Sequence, residues 1–481
     1  MHAKSIKLNA VLNVIKALLS VIFPLITYPY ATRVLGVENL GKVNFSSSII
    51  TYFSLLAALG ITSYAIREGA KVRQEKEKFE KFANEVFSIN LITTIFSYIL
   101  LVIILLVAYK LREYRLLILI HSMIIIFTTL GVDWVNSIYE DYIYIALRSL
   151  IINIISMVCL FVFVKQATDY YIYALLTVIS NGLICISNFF YCRKYIKFKF
   201  TKKINFIKHI KYMLIFFANN LAVSIYVNAD ITMLGVMSSN YSVGLYSVAV
   251  KVYSILKNIF AAIYMVTLPR LTYLISNNHK EEYKELASKI CSIIILILLP
   301  CAAGLFILAP DIIMILSGEA FINAFPVLRI LSIAIIFALL GGIITQCVYI
   351  SLGREKINLK ATIISAVVNV VLNIYFISTY NEVGAAITTA ISEFIVLVYC
   401  LLKFKDMNQY FYREKIIKNL IIAIIGMTMV LIIGSIIQTY ITNLIFRFAL
   451  TIVISCIIYF VLLLITKNEL LIDNIKFKKE K

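Results

Sequence analysis

Residues Asn9 to Arg67, NAVLNVIKALLSVIFPLITYPYATRVLGVENLGKVNFSSSIITYFSLLAALGITSYAIR, decide the fold. They read as two apolar helices joined by a short polar turn, Arg33-Val34-Leu35-Gly36-Val37-Glu38-Asn39-Leu40-Gly41. At about 100° per residue, Asn9, Asn13, Lys16, Ser20 and Thr27 fall within a wedge of roughly 60° on the first helix. A lysine or asparagine facing lipid is expensive, so this stripe is expected to face protein or a water-filled cavity. Pro24 and Pro29 interrupt the second half and free backbone groups that neighbours or water must satisfy, which predicts a bend there.

The whole chain carries the same signature. Of its 481 residues 62% are hydrophobic and 15% charged, far from the roughly 45–50% and 25% of soluble domains. An all-α polytopic membrane protein follows. A net charge of +20 would suggest nucleic acid in a soluble chain, but these lysines and arginines gather in short loops between apolar runs. No nucleic-acid partner is expected; the cations set topology, and anionic lipid headgroups are a secondary partner.

A spanning helix needs about 20 apolar residues. On that measure about fourteen spans are centred near Leu18, Leu55, Tyr98, Ile125, Ser156, Ile179, Ser224, Ile255, Leu298, Ile335, Val368, Ile391, Met429 and Ser455. With the N-terminus placed in the cytoplasm, inside segments outnumber outside turns in Lys and Arg by about four to one, which puts both termini inside. The first span reads as a retained membrane signal, because no short apolar region with a cleavage site precedes it.

The basic segment from Arg193 to Lys211 divides the chain, and a weak echo appears across it. Leu35-Gly36-Val37, Gly41 and Ser46-Ser47 follow the first span; Leu234-Gly235-Val236, Gly244 and Tyr246-Ser247 follow the seventh. The echo predicts two six-helix lobes, 1–200 and 201–405, in parallel repeat, with the substrate path between them. Residues 406–481 would add two helices and a basic cytoplasmic tail.

Polar stripes recur on later spans: Asn44, Ser47, Ser48, Thr51, Ser54 and Thr62 on the second; Asn220, Ser224 and Asn228 on the seventh; Ser247, Lys251, Ser254 and Asn258 on the eighth. Hydroxyls and amides here serve equally as helix–helix glue. Lys16 and Lys251 are costlier to embed, and function is the better explanation for them. Thr129, Asp133, Asn136 and Glu140 share a face at the end of the fourth span, beside Trp134. They read either as interfacial groups or as a functional carboxylate, with Arg148 as ion-pair partner for either acid. A buried Asp133 could take part in proton coupling.

Chemistry-bearing signatures are few. The eight cysteines lie in or beside apolar runs without a CxxC pair, and the four histidines are scattered, so no metal site or catalytic residue is expected. There is no GxxxxGK[ST], HExxH or GxSxG, so no cofactor is expected, and ATP hydrolysis by this chain cannot drive transport. The chain reads as a transporter and not an enzyme.

The block from Asn13 to Arg67, with Pro24, Tyr28-Pro29-Tyr30, Arg33-Val34-Leu35-Gly36, Gly41, Asn44-Phe45, Leu59-Gly60-Ile61 and Arg67-Glu68, closely resembles the Wzx-type lipid-linked oligosaccharide flippases of the multidrug/oligosaccharidyl-lipid/polysaccharide exporter superfamily. Gly131-Val132-Asp133-Trp134 and Glu140 match their fourth span. The resemblance implies a two-lobed, MATE-like bundle in the bacterial cytoplasmic membrane. It would move an undecaprenyl-diphosphate-linked repeat unit between leaflets for capsule or O-antigen-like polymers, alongside a polymerase and chain-length machinery. It also implies a cationic cavity for the diphosphate, with Lys16, Arg33, Lys251 and Arg67 as its cations, lined by Asn9, Asn13, Ser20, Asn44, Thr51, Asn220, Ser224 and Asn258. The alternatives are a multidrug or peptidoglycan-precursor exporter of the same fold, or a membrane polymerase or acyltransferase. Basic stripes argue against cationic drugs. The short outside turns, and the want of an embedded histidine with a partner, argue against the enzymes.

Overall fold

In a computed structural model, residues 6–202, 205–404 and 407–470 are described, with side chains from Ile22 onward except at 142, 146, 208 and 407. The side chains of Asn9, Asn13, Lys16 and Ser20 therefore lie outside the described residues. The described residues contain helices and no strand. Twelve of the helices are long and apolar enough to cross a membrane. Two of the twelve are kinked pairs. Helix α1 (Ile6–Ala58) breaks at Gly36 into limbs 6–35 and 37–58, and the helix Glu355–Lys403 breaks at Asn381. Each limb is long enough to span, so the fourteen spans read from hydropathy are accounted for.

The first break corrects the expected turn. Helical geometry runs through residues 33–41 on both sides of one residue, Gly36, at φ 74°, ψ 175°. That conformation is open essentially to glycine alone. The bend expected at the prolines is not where helical dihedrals are lost: Pro24 and Pro29 lie within helical backbone. The Thr27 hydroxyl donates to the Phe23 carbonyl (2.9 Å), and that of Thr32 to the carbonyl of Pro29 itself (3.1 Å).

The chain divides into two compact units between Ser247 and Val248. The first is built on α1, followed by α2 (Ile61–Val72), α3 (Lys76–Val107), α4 (Arg115–Gly131), α5 (Asp133–Ile138), α6 (Tyr142–Phe163), α7 (Tyr170–Cys192) and α8 (Phe206–Met237). Helix α1 packs on α3, α4, α6, α7 and α8, and α4 packs on α7. Apolar rows such as Ile95, Ile99, Val102 and Leu106 stay exposed, which suits a lipid solvent. At the basic end, Tyr64, Phe79, Val86, Trp134, Ile138 and Met213 form one core cluster from α2, α3, α5 and α8. Trp134, 4% exposed, is a core residue and not an interfacial one.

This unit includes α8, although the basic segment before it would assign α8 to a second lobe. The reason is backbone contact. A side-chain carbon on Gly41 would strike the Asn240 carbonyl, one on Gly244 the Val37 carbonyl, and one on Gly235 the Phe45 ring. The two echoing stretches of sequence are thus packed on each other.

The second unit comprises most of α9 (Asn240–Ser276), then α10 (Lys280–Ile307), α11 (Ala309–Ser317), α12 (Phe325–Ile343), α13 (Glu355–Lys403), α14 (Met407–Tyr410), α15 (Arg413–Tyr440) and α16 (Leu444–Ile465). The main packings are α12 on α13 and α10 on α15. Helix α16 is the outermost in character, with 11% of its most apolar stretch buried against 61% in α10.

Candidate functional site

The expected cations occupy different levels of the molecule. Arg33 is exposed in the last turn before the Gly36 break. Arg67 is exposed in α2, beyond the limb 37–58. At about 1.5 Å per residue that limb rises roughly 33 Å, the thickness of the hydrocarbon core. Arg33 and Arg67 therefore cannot hold one phosphate together. Arg67 is engaged locally: Nε lies 3.0 Å from the Glu68 carboxylate, and the guanidinium sits over the rings of Phe216 (5.2 Å) and Tyr212 (5.6 Å) of α8. Lys251 is half-buried in α9.

The polar lining is most developed on α1 and α8. Asn44 is half-buried and hydrogen-bonds Tyr28. Thr51 is satisfied by its own helix, donating to the Ser47 carbonyl at 3.1 Å, as a glue residue would be. Thr232 of α8 donates to Ser48 Oγ at 3.0 Å, tying the two helices together. Asn220 and Ser224 are half-buried, Asn219 is exposed, and Asn228 donates to the Ser224 carbonyl at 3.1 Å. Only 6% of the most apolar stretch of α8 is buried, so this amide-rich helix meets solvent of some kind along its length. Asn258, on α9, is exposed. Asp230 is not at the surface. It is 4% exposed and accepts a 2.5 Å bond from Tyr246, a tyrosine the sequence echo had already marked.

The proposed face Thr129–Asp133–Asn136–Glu140 does not form. Val132 takes a left-handed conformation (φ 31°, ψ 29°) that ends α4 and starts α5 in a new direction. Thr129 then bonds Thr94 inside the bundle (2.6 Å), and Asn136 donates to Asn188 (2.7 Å). Asp133 is exposed and pairs with the buried Arg148 at 3.2 Å, while the exposed Glu140 pairs with Arg73 at 3.0 Å. Arg148 is thus the partner of Asp133, which is exposed and not the buried carboxylate considered for coupling.

Several polar clusters escaped the sequence reading. In the first unit, Tyr64, His209 and Glu85 form a buried chain, with the Tyr64 hydroxyl 2.7 Å from His209 Nδ1 and Nε2 2.8 Å from the Glu85 carboxylate. Asp141, 2% exposed, accepts from Tyr191 (2.6 Å), Lys194 (2.9 Å) and Tyr195 (2.9 Å). Burial works against the Lys194 charge, but its bonds with Tyr191, Asp141 and Tyr195 outweigh this and raise its pKa, and burial pushes the Tyr195 hydroxyl up to about 12. In the second unit, buried Glu393 accepts from Tyr253 (2.7 Å) and Lys257 (2.8 Å). Lys257 of α9 is thereby paired with Glu393 of α13. Ser365, Asn369, Asn373 and Thr388 form a buried network between the limbs of α13.

Sequence comparison places these features among polysaccharide exporters. The capsular polysaccharide biosynthesis protein CapF of Staphylococcus aureus is 26% identical over 401 residues, covering 81% of this chain and 95% of that protein. A putative O-antigen transporter of Shigella dysenteriae is 23% identical, covering 79% and 95%. Among solved structures, the lipid II flippase MurJ in an inward closed conformation matches with a TM-score of 0.75 at 18% identity, covering 96% of this chain and 99% of MurJ, a likeness of fold. A family model described as polysaccharide biosynthesis protein matches residues 6–275, more than half of the 481, and the chain belongs to that family.

Proposed function

We propose that this chain is a flippase for undecaprenyl-diphosphate-linked oligosaccharide repeat units, serving a surface polysaccharide of the capsule or O-antigen kind by alternating access. The observation that carries the proposal is α8, a membrane-length helix scarcely buried yet bearing Asn219, Asn220, Ser224 and Asn228. Helix α8 exposes Ile215, Val223 and Val227 and half-buries Asn220, Ser224 and Asn228; in this reading the amide side faces water and not lipid, and a sugar chain needs such a wet, hydrogen-bonding path. The polysaccharide family and the capsule and O-antigen names of the relatives support the substrate class.

In this reading the cations act in sequence. Arg67 and Arg33 stand near opposite ends of the first unit's part of the path, and Lys16 and Lys251 are each taken as further cations for the diphosphate. A lysine offers phosphate a point charge and an arginine a fork. Both termini are cytoplasmic in this reading, as the basic segments favour. The chain breaks no bond, and handover to a polymerase and chain-length machinery follows outside.

The test is deletion of the gene in its host with lipid-linked sugar assigned to its leaflet. Repeat units held on the cytoplasmic side with polymer lost are the expected result. Single repeat units displayed outside would make the chain a polymerase instead, and accumulation of the cell-wall precursor would make it a peptidoglycan-lipid flippase.

A further inference from the structure

A cavity of about 90 Å³ opens among α10, the start of α15 and the segment after α16. About 10–15 Å³ suffices for one water, so the space takes a group of several heavy atoms. Its walls are rich in unused donors. The Ser292 hydroxyl, 3% exposed at the residue level, has no bond among the described residues. Ser288 Oγ accepts from the Tyr412 amide (2.7 Å) and keeps its own proton uncommitted. Asn419 spends its oxygen on Asn468 (2.7 Å), leaving its NH2 group for the cavity.

Three lysines, Lys289, Lys415 and Lys418, stand against two carboxylates, Glu285 and Glu469. Glu469 is held by Lys415 at 3.1 Å, while Lys289 and Lys418 make no ion pair among the described residues. The N-terminus of α15 adds its partial positive charge. A site of donors and cations with few free acceptors suits an anion.

The surroundings identify what carries that anion. Exposed apolar side chains lie close in sequence to the cavity wall: Phe460, Val461, Leu464 and Ile465 end α16 just before the cavity-lining Asn468 and Glu469. A soluble phosphate would have no use for that surface, whereas acyl chains lie along it with the headgroup turned into the cavity. We infer that this cavity binds the phosphate headgroup of an anionic membrane lipid, at a site separate from the sugar path.

The experiment follows the thermal midpoint of the full chain in neutral detergent as phosphatidylglycerol, phosphatidylcholine or inorganic phosphate is added. Phosphatidylglycerol should raise the midpoint at concentrations where the other two do nothing. Lys289→Ala/Lys418→Ala should weaken the apparent affinity about thirty-fold, at roughly fivefold per lysine near an anionic headgroup. Lys289→Arg/Lys418→Arg should retain it, as should Lys356→Ala/Lys360→Ala, which removes two exposed cations from α13 instead. Equal stabilisation by phosphatidylcholine, or an unchanged affinity in the Lys289→Ala/Lys418→Ala variant, would overturn the site. Saturation by inorganic phosphate at the same concentration as the lipid would overturn the lipid assignment.

Discussion

Helices α8 and α16 are both spans that the protein barely covers, and they use that exposure in opposite ways. Helix α16 turns its few polar groups inward at helical spacing. Arg447 bonds the fully buried Asp311, Thr451 and Ser455 are buried, and Tyr459 donates to the Leu296 carbonyl at 2.6 Å. Its outer face holds Ile445, Ile452, Val453, Ile457 and Phe460. Helix α8 leaves Asn219 exposed and Asn220, Ser224 and Asn228 half-buried. Helix α8 also exposes Ile215, Val223 and Val227, so in the proposed function it is the amide side of α8, and not its exposure as such, that meets water, whereas α16 meets lipid. Sequence polarity, taken together with burial, tells them apart where neither does alone.

The largest effect should come from breaking the inward side of α16. Arg447→Leu leaves Asp311 charged and unpaired inside unit two, at about 3–5 kcal/mol. Equilibrium unfolding in detergent should show this loss, and Asp311→Leu/Arg447→Leu should recover most of it. A loss just as large in the double variant would mean that the pair is not what holds α16.

Next, one substitution placed on both helices sharpens the contrast. Ile457→Lys should lower membrane insertion by about 2.5–3.5 kcal/mol, the cost of a lysine at the centre of a lipid-facing span. Ser224→Lys should cost under about 1 kcal/mol if α8 borders water, because the ammonium keeps its solvent. Glycosylation-based insertion assays read both directly. Equal penalties would place α8 against lipid and remove the path.

Smaller in energy but confined to transport are Lys16→Ala and Lys251→Ala. Losing one charge-assisted contact of about 1.5–3 kcal/mol should slow flipping by roughly ten- to a hundredfold. Insertion and thermal stability should hold. Wild-type flipping in both variants would remove the cationic path while leaving the fold untouched.

The spans and the polar side of α8 were legible because both follow from local rules, hydrocarbon thickness and the 3.6-residue period. What failed did so for identifiable reasons. A polar run at 33–41 looked like a loop, but only Gly36 leaves helical geometry, and the polar residues around it remain in helix. Four residues from 129 to 140 looked like one face, but the left-handed Val132 resets the direction between them. Partners far apart in sequence, such as Glu85 with His209, Lys257 with Glu393 and Asp311 with Arg447, depend on tertiary packing that no periodicity encodes. The close approach of Gly41, Gly235 and Gly244 to Asn240, Phe45 and Val37 within the first unit is likewise a tertiary contact.

The central claim is that α8 borders a water-filled path. It is tested by replacing the eight native cysteines with alanine and adding single cysteines at Asn219, Asn220 and Ser224 of α8 or at Ile457 and Val461 of α16. The rate of reaction with a water-soluble, membrane-impermeant thiol reagent is then measured in native membranes. The account predicts labelling along α8, slowed by a lipid-linked oligosaccharide, and none on α16. Unreactive cysteines along all of α8, matching those of α16, would contradict it.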